Sequence, residues 1–238
     1  MLSVIANVAV GLLTSLVGLG LGALWERGRR TRAVYRRAAF FGVRPGEHCV
    51  IVVGTRHGQP GTTQHRDLRA VVELTVLLSE LGCQVSVESG ALRGSNGDRT
   101  EFCVGGPIGG SNPRTGGHLT AHLPGVTITP FGDGPDSVAI VVGGRRYYFD
   151  RGRQEYAVVA KFTPSESTRP VVLVCGQSSV ANQAAVHFLR REYARVVRAV
   201  ASADRYCLLV KVSHIDIYSF HRSELERDVS AEAFTAAG

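Results

Sequence analysis

Two stretches of this chain, HCVIVVG at 48–54 and PVVLVCG at 170–176, are unbroken apolar runs rich in β-branched residues. A strand that alternates apolar and polar residues has one wet face. A strand without alternation must be buried on both faces, which commits the domain to a sheet covered on either side. The residues after each run agree. RDLRAVVELTVLLSEL (66–81) puts Leu68, Val71, Val72, Leu78 and Leu81 at helical spacing before the stop at Gly82. CQVSVE (83–88) then reads as a second strand, and a strand–helix–strand unit crosses over right-handed to make a parallel pair. After the second run, residues 177–200 form an amphipathic helix capped by Ser178 or Ser179. Ala181, Ala184, Ala185, Phe188 and Leu189 face inward, and Arg190, Arg191, Arg195 and Arg198 face outward. YCLLVKV (206–212) closes the sheet.

Between these units, EFCVGG (101–106) predicts a third strand, 114–123 a weak helix, and VTITPF (126–131) a short strand. SVAIVV and RRYYFD flank Gly143-Gly144, a hairpin signal because glycine accepts the positive φ of a tight primed turn. YAVVAKFT (156–163) is expected to continue that antiparallel region.

The N-terminus sets a different constraint. Leu2 to Trp25 holds no charged residue, and as a helix it would reach roughly 36 Å, enough for a ~30 Å hydrocarbon core. Six arginines, at 27, 29, 30, 32, 36 and 37, then face one acid, Glu26. This order predicts an uncleaved transmembrane anchor in the inner (plasma) membrane, with the N-terminus outside and the rest cytoplasmic. A cleaved signal peptide fits less well, since charge follows the core instead of preceding it. The Gly18-x-x-x-Gly22 spacing would let two such helices approach, giving a possible homo-oligomer. The expected fold class is therefore α/β: an N-terminal transmembrane helix, then a three-layer Rossmann-like domain with a mostly parallel sheet and an inserted antiparallel hairpin. The expected divisions are a membrane helix at 1–25, a basic connector at 26–46, the α/β domain at 47–220 and a flexible tail at 221–238.

Charge points away from nucleic acid. Of the net +7, residues 25–37 supply +5, so the basic character is concentrated beside the anchor. Its natural partner is membrane lipid, touched by residues 2–25 and by the arginines of 27–37. The five cysteines form no C-x-x-C pair and sit in or beside apolar runs, as buried free thiols of a reducing compartment would.

In sheets of this kind, ligands bind where parallel strands give way to loop and helix. Three such edges share one composition: Gly54-Thr55-Arg56, then Gly105-Gly106 through Ser111, Asn112 and Thr115, and Gly176-Gln177-Ser178-Ser179. Glycine amides and hydroxyl or amide side chains at helix starts suit an anionic or phosphate group. The candidate ligand-binding residues are Thr55, Arg56, Gly105, Gly106, Ser111, Asn112, Thr115, Gly176, Gln177 and Ser178. Glycine's use in turns and serine's use in caps are the competing explanation.

No named catalytic motif is complete. Gly54-x-x-x-Gly58-x-x-Gly61 departs from the dinucleotide fingerprint, although Glu88 ends the second strand where a ribose-binding acid could sit. The only lysines, Lys161 and Lys211, do not follow glycine, which excludes a Walker A loop. His118-Leu-Thr-Ala-His122 lacks the glutamate of a zinc peptidase, so no metal site is assigned. Cys175, at a strand end, has no base nearby in sequence and reads as core.

The motif GGP-x4-N-x2-T (Gly105 to Thr115), with YAVV…VVLVCG…AAVHFL (Tyr156 to Leu189), resembles a recurring α/β domain of membrane-anchored bacterial proteins of unassigned function. The likeness covers about residues 48–212. It implies one compact domain and a role for the Asn112–Thr115 loop, and no activity, cofactor or catalytic residue. Three functions remain open. One is a sensor or accessory module for a small anionic or nucleotide-like ligand. Another is a tethered hydrolase or transferase drawing on His57, His118, Asp98 and Glu101. The third is a protein-docking domain.

Overall fold

The computed structural model describes the backbone of residues 2–55, 59, 62–90 and 97–236, with side chains from Gly18 onward, Gly110 excepted. In chain order the elements are α1 (Leu2–Phe40), β1 (His48–Val53), α2 (His65–Glu80), β2 (Gln84–Ser89), β3 (Glu101–Val104) and α3 (Pro113–His122). There follow β4 (Val126–Ile128), β5 (Ile140–Val142), β6 (Arg145–Tyr147), β7 (Gln154–Phe162), β8 (Val171–Gly176) and α4 (Ser179–Ala199). The chain ends with β9 (Tyr206–Ser213), α5 (Ile215–Tyr218), β10 (Ser223–Asp228) and α6 (Ser230–Ala233). These divide into two compact units, residues 1–37 and 38–238.

The first unit corrects the membrane expectation. Among the described residues no helix is long and apolar enough to cross a bilayer. Helix α1 does not stop at Trp25 but runs unbroken through Glu26 and the arginines to Phe40, and of the residues whose side chains are described only Gly18–Trp25 precede the first charge. A Cβ built at Gly18, Gly20 or Gly22 would meet nothing within 4 Å.

The second unit is α/β, but its sheet is mixed where a mostly parallel one was expected. Seven strands run in the order β10-β9-β7-β8-β3-β1-β2. The pairs β1/β2, β1/β3 and β3/β8 are parallel, while β7/β8, β7/β9 and β9/β10 are antiparallel. The reversal belongs to β7, which was expected to extend the hairpin region. Instead only β4, β5 and β6 form a separate three-stranded antiparallel sheet, turning at Gly143 (φ 55°) and Gly144 (φ 75°). The chain then enters the main sheet from the carboxyl edge of the parallel strands, so that Ala157 at the start of β7 lies opposite Gly176 at the end of β8. β7 is buried from Glu155 to Phe162, a continuous run that a one-sided hairpin could not have satisfied.

The two faces of the sheet carry separate cores. On one, Cys49, Ile51, Phe102, Val174, Ala157 and Leu208 pack under α2 and α4. On the other, Val50, Cys103, Leu173, Val158 and Leu209 pack under Leu119 and Leu123 of α3, the small sheet, and Ala233 of α6.

Two boundaries also move. Part of the expected connector belongs to the core, where Ala38, Phe40, Phe41 and Val43 are buried on the α2/α4 face. Lys161 of β7 donates to the carbonyls of Ala39 (2.8 Å) and Phe40 (3.0 Å), placing a cation on the last carbonyls of α1. The stretch expected to be a flexible tail supplies the edge strand β10 and α6, with Val229 and Ala233 fully buried.

Candidate functional site

The carboxyl ends of β1, β3 and β8 open into one cleft of ≈ 620 Å³. It lies where β2 and β3 depart to opposite sides of β1, the switch point at which open α/β sheets place their ligands. Gly54 and Thr55 reach it from β1, Gly105, Gly106 and Ser111 from the loop after β3, and Gly176, Gln177 and Ser178 from the turn into α4. Apolar side chains complete the wall, among them Ile108, Phe131, Phe149 and Ile215.

Many polar groups of these loops already have partners within the protein. The Thr55 amide donates to the Ser111 carbonyl at 2.7 Å, and the Ser111 hydroxyl to the Gly106 carbonyl at 2.6 Å. Gln177 is spent on the fold. Its Oε1 accepts from the Tyr156 amide at 2.8 Å, and its Nε2 donates to the carbonyls of Tyr147 (2.8 Å) and Val138 (3.0 Å). Ser178 caps α4 by accepting from the amides of Val180 and Ala181. Gly176 is required sterically, since a Cβ there would lie 2.7 Å from the Cβ of Ala181.

Asn112 and Thr115 do not line the cleft, and both are fully buried. Asn112 caps α3 by accepting from the Thr115 amide at 3.1 Å, while its Nδ2 donates to the Val104 carbonyl at 3.0 Å. The second half of the GGP-x4-N-x2-T motif thus fastens α3 to the end of β3. Arg56 and His57 lie outside the described residues.

Two acids in the cleft were not singled out from sequence. Asp67, in the first turn of α2, is 7% exposed and accepts from Asn182 Nδ2 at 2.8 Å. Glu155, at the start of β7, is 3% exposed and accepts from the Ser178 hydroxyl. Burial pushes both carboxyls above the ordinary carboxylate value, against the lowering effect of those hydrogen bonds. Neither had a local signature. Asp67 is one acid in the first turn of a helix, and Glu155 reaches the cleft only because β7 enters the sheet from that edge.

The enzymatic candidates His118 and Glu101 lie elsewhere, around the first residue of β3 at the amino end of the parallel strands. Glu101 is 1% exposed and receives Arg114 through Nε at 2.7 Å and Nη2 at 2.8 Å. His118 Nε2 lies 3.2 Å and Cys103 Sγ 3.0 Å from its Oε1. Burial alone would raise the Glu101 carboxyl, but the hydrogen bonds from His118, Arg114 and Cys103 together hold it well below the usual carboxylate range. Glu101, Cys103 and His118 stand close enough to share a metal ion. The donor set does not suit one: a guanidinium occupies both Glu101 oxygens, and burial pushes the Cys103 thiol far up, keeping it protonated. This is a buried ion pair holding α3 to β3. Asp98 pairs with Arg99 at 3.7 Å and is exposed.

No protein-family model matches this chain, and no curated protein or solved structure matches it significantly.

Proposed function

We propose that the α/β unit is a binding domain for a small nucleotide-like ligand carrying both a phosphate and free hydroxyls. The observation that carries this reading is the meeting, in one switch-point cleft, of three glycine-bearing strand ends with two buried carboxylates. Gly54, Gly105, Gly106 and Gly176 line the cleft with backbone, although a Cβ at any of them would meet protein atoms within 4 Å. The start of α4 favours negative charge there. Asp67 and Glu155 favour the reverse, accepting hydroxyl or amino donors. A bare anion would meet two acids, whereas a ligand with a phosphate at one end and a polyol or base at the other matches both. Arg151 at the rim adds a cation.

The test is thermal denaturation of the full chain against nucleosides, nucleoside phosphates and sugar phosphates. A ligand at 100 times its Kd adds about 2.7 kcal/mol to the folded state. Stabilisation by a nucleoside phosphate that is lost in Asp67→Asn supports the reading. A flat panel sinks it and favours protein docking, for which Leu68 and Val72 of α2, each more than half exposed, are among the apolar side chains available.

One observation favours an enzymatic version of the same site. Asp67 and Glu155 line one cleft and are both raised by burial, the setting of a general acid or base. Turnover of whichever compound stabilises the wild type, abolished in Asp67→Asn or Glu155→Gln, would establish it.

A further inference from the structure

We propose that the Gly18–Arg37 stretch of α1 lies along the surface of an anionic lipid bilayer, in the plane of the headgroups and not across the membrane. At 100° per residue, Leu21, Leu24, Trp25, Gly28 and Tyr35 fall on one side of the helix. Leu21, Leu24, Trp25 and Tyr35 are each more than half exposed, at 63%, 68%, 69% and 57%. This is apolar surface that the described side chains leave open. Arg27, Arg29 and Arg30 lie on the remaining circumference together with Leu19, Arg36 adjoins Trp25, and Arg32 falls within the stripe, where its long stem can carry the guanidinium out to headgroup level; all five arginines are exposed. Glu26, the only acid of the stretch, is already paired with Arg30 at 2.8 Å and Arg29 at 3.7 Å. Arg29 also sits over the Trp25 ring, 5.6 Å from its centroid.

Charge complementarity selects the occupant. The arginines alone would suit any polyanion. A nucleic acid, however, would pair with them and leave Leu21, Leu24 and Trp25 in water. An anionic bilayer takes both, with leucines in the outer acyl region, Trp25 and Tyr35 at the interface and guanidinium groups on phosphates.

Trp25 is the only tryptophan of the chain and reports directly. Full-length protein is titrated with phosphatidylcholine vesicles, with and without phosphatidylglycerol. The expected result is a blue shift of Trp25 emission on the anionic vesicles only, weakened by 0.5 M salt. Trp25 should be quenched more by a nitroxide near the headgroup than by one deep in the acyl chain. Arg27→Ala with Arg36→Ala should weaken partition about 25-fold, at roughly fivefold per arginine, while lysine at both positions should retain it. Equal binding to neutral vesicles, stronger quenching by the deep label, or an unchanged affinity of the double variant would each overturn the proposal. A Trp25 shift on duplex DNA with none on anionic vesicles would replace it with nucleic-acid binding.

Discussion

Asn182 donates its side-chain amide to Asp67 at 2.8 Å and accepts from the Gly176 backbone amide at 2.6 Å. One residue of α4 therefore ties the start of α2 to the end of β8, across the cleft to which the three strand ends contribute. It also fixes a carboxylate in a place where its charge is poorly solvated.

Asp67→Asn keeps the acceptor for Asn182 and removes the charge. A carboxyl raised in the folded state gives stability that is fully present below its unfolded pKa and lost as pH rises through the raised folded value. Wild type should therefore lose stability over the window that starts at the ordinary carboxylate value and ends at the raised one. The variant, lacking that loss, should melt higher than wild type at pH 7 and alike at pH 3. A lower melting temperature at pH 7 would show that the charge is compensated.

Glu101 behaves in the opposite sense. Its folded pKa is depressed, so its contribution is present above the unfolded value and fades as pH falls through the folded one. Glu101→Gln removes half of a buried pair and should cost about 3 kcal/mol in urea denaturation at pH 7. Added zinc should not restore it, since the cluster is an ion pair.

All five cysteines are free and buried. Burial raises every thiol: Cys175 is pushed up to about 12, and Cys49, Cys83, Cys103 and Cys207 also rise. An aromatic disulfide reagent should find no reactive thiol in the native protein and five in guanidinium. Stability should decline as pH climbs past about 8.5, the value of a free thiol, because only the unfolded chain ionises there.

Gly176→Ala tests packing at the head of α4. The added methyl would lie 2.7 Å from Ala181 and 2.8 Å from the Asn182 amide, so backbone must move. The expected cost is about 1–3 kcal/mol, read as a shift in the urea midpoint.

The start of the folding unit is testable by truncation. A chain beginning at Arg44 loses Phe40, Phe41 and Val43 from the core, and each buried phenylalanine is worth about 3–5 kcal/mol. Losing both removes about 6–10 kcal/mol, comparable to the whole stability of an ordinary domain. Protein beginning at Arg44 should be recovered unfolded, and protein beginning at Ala38 folded, as read by near-ultraviolet circular dichroism.

The local pattern of residues determined the elements. The apolar runs at 48–54 and 170–176 became strands buried from Cys49 to Val53 and from Val171 to Gly176, because a strand's two faces are written into adjacent positions. The 3.6-residue period of 66–81 and 177–200 likewise declared two helices packed on that sheet. Gly143-Gly144 declared its own turn. Which strands lie side by side is a different kind of fact, since pairing joins residues far apart in the chain and leaves no local trace. Only the tertiary structure decided that β7 enters between β8 and β9, that β10 takes the edge, and that Phe40 and Phe41 belong to the core. The site divides in the same way. Glycines and hydroxyls at strand ends could be read from the chain, because loops advertise themselves by composition. Glu155 faces the cleft because the antiparallel strand delivers its first residues there, Asp67 because α4 holds the start of α2 beside it through Asn182, and Asn112 and Thr115 serve the fold by fastening α3 to β3.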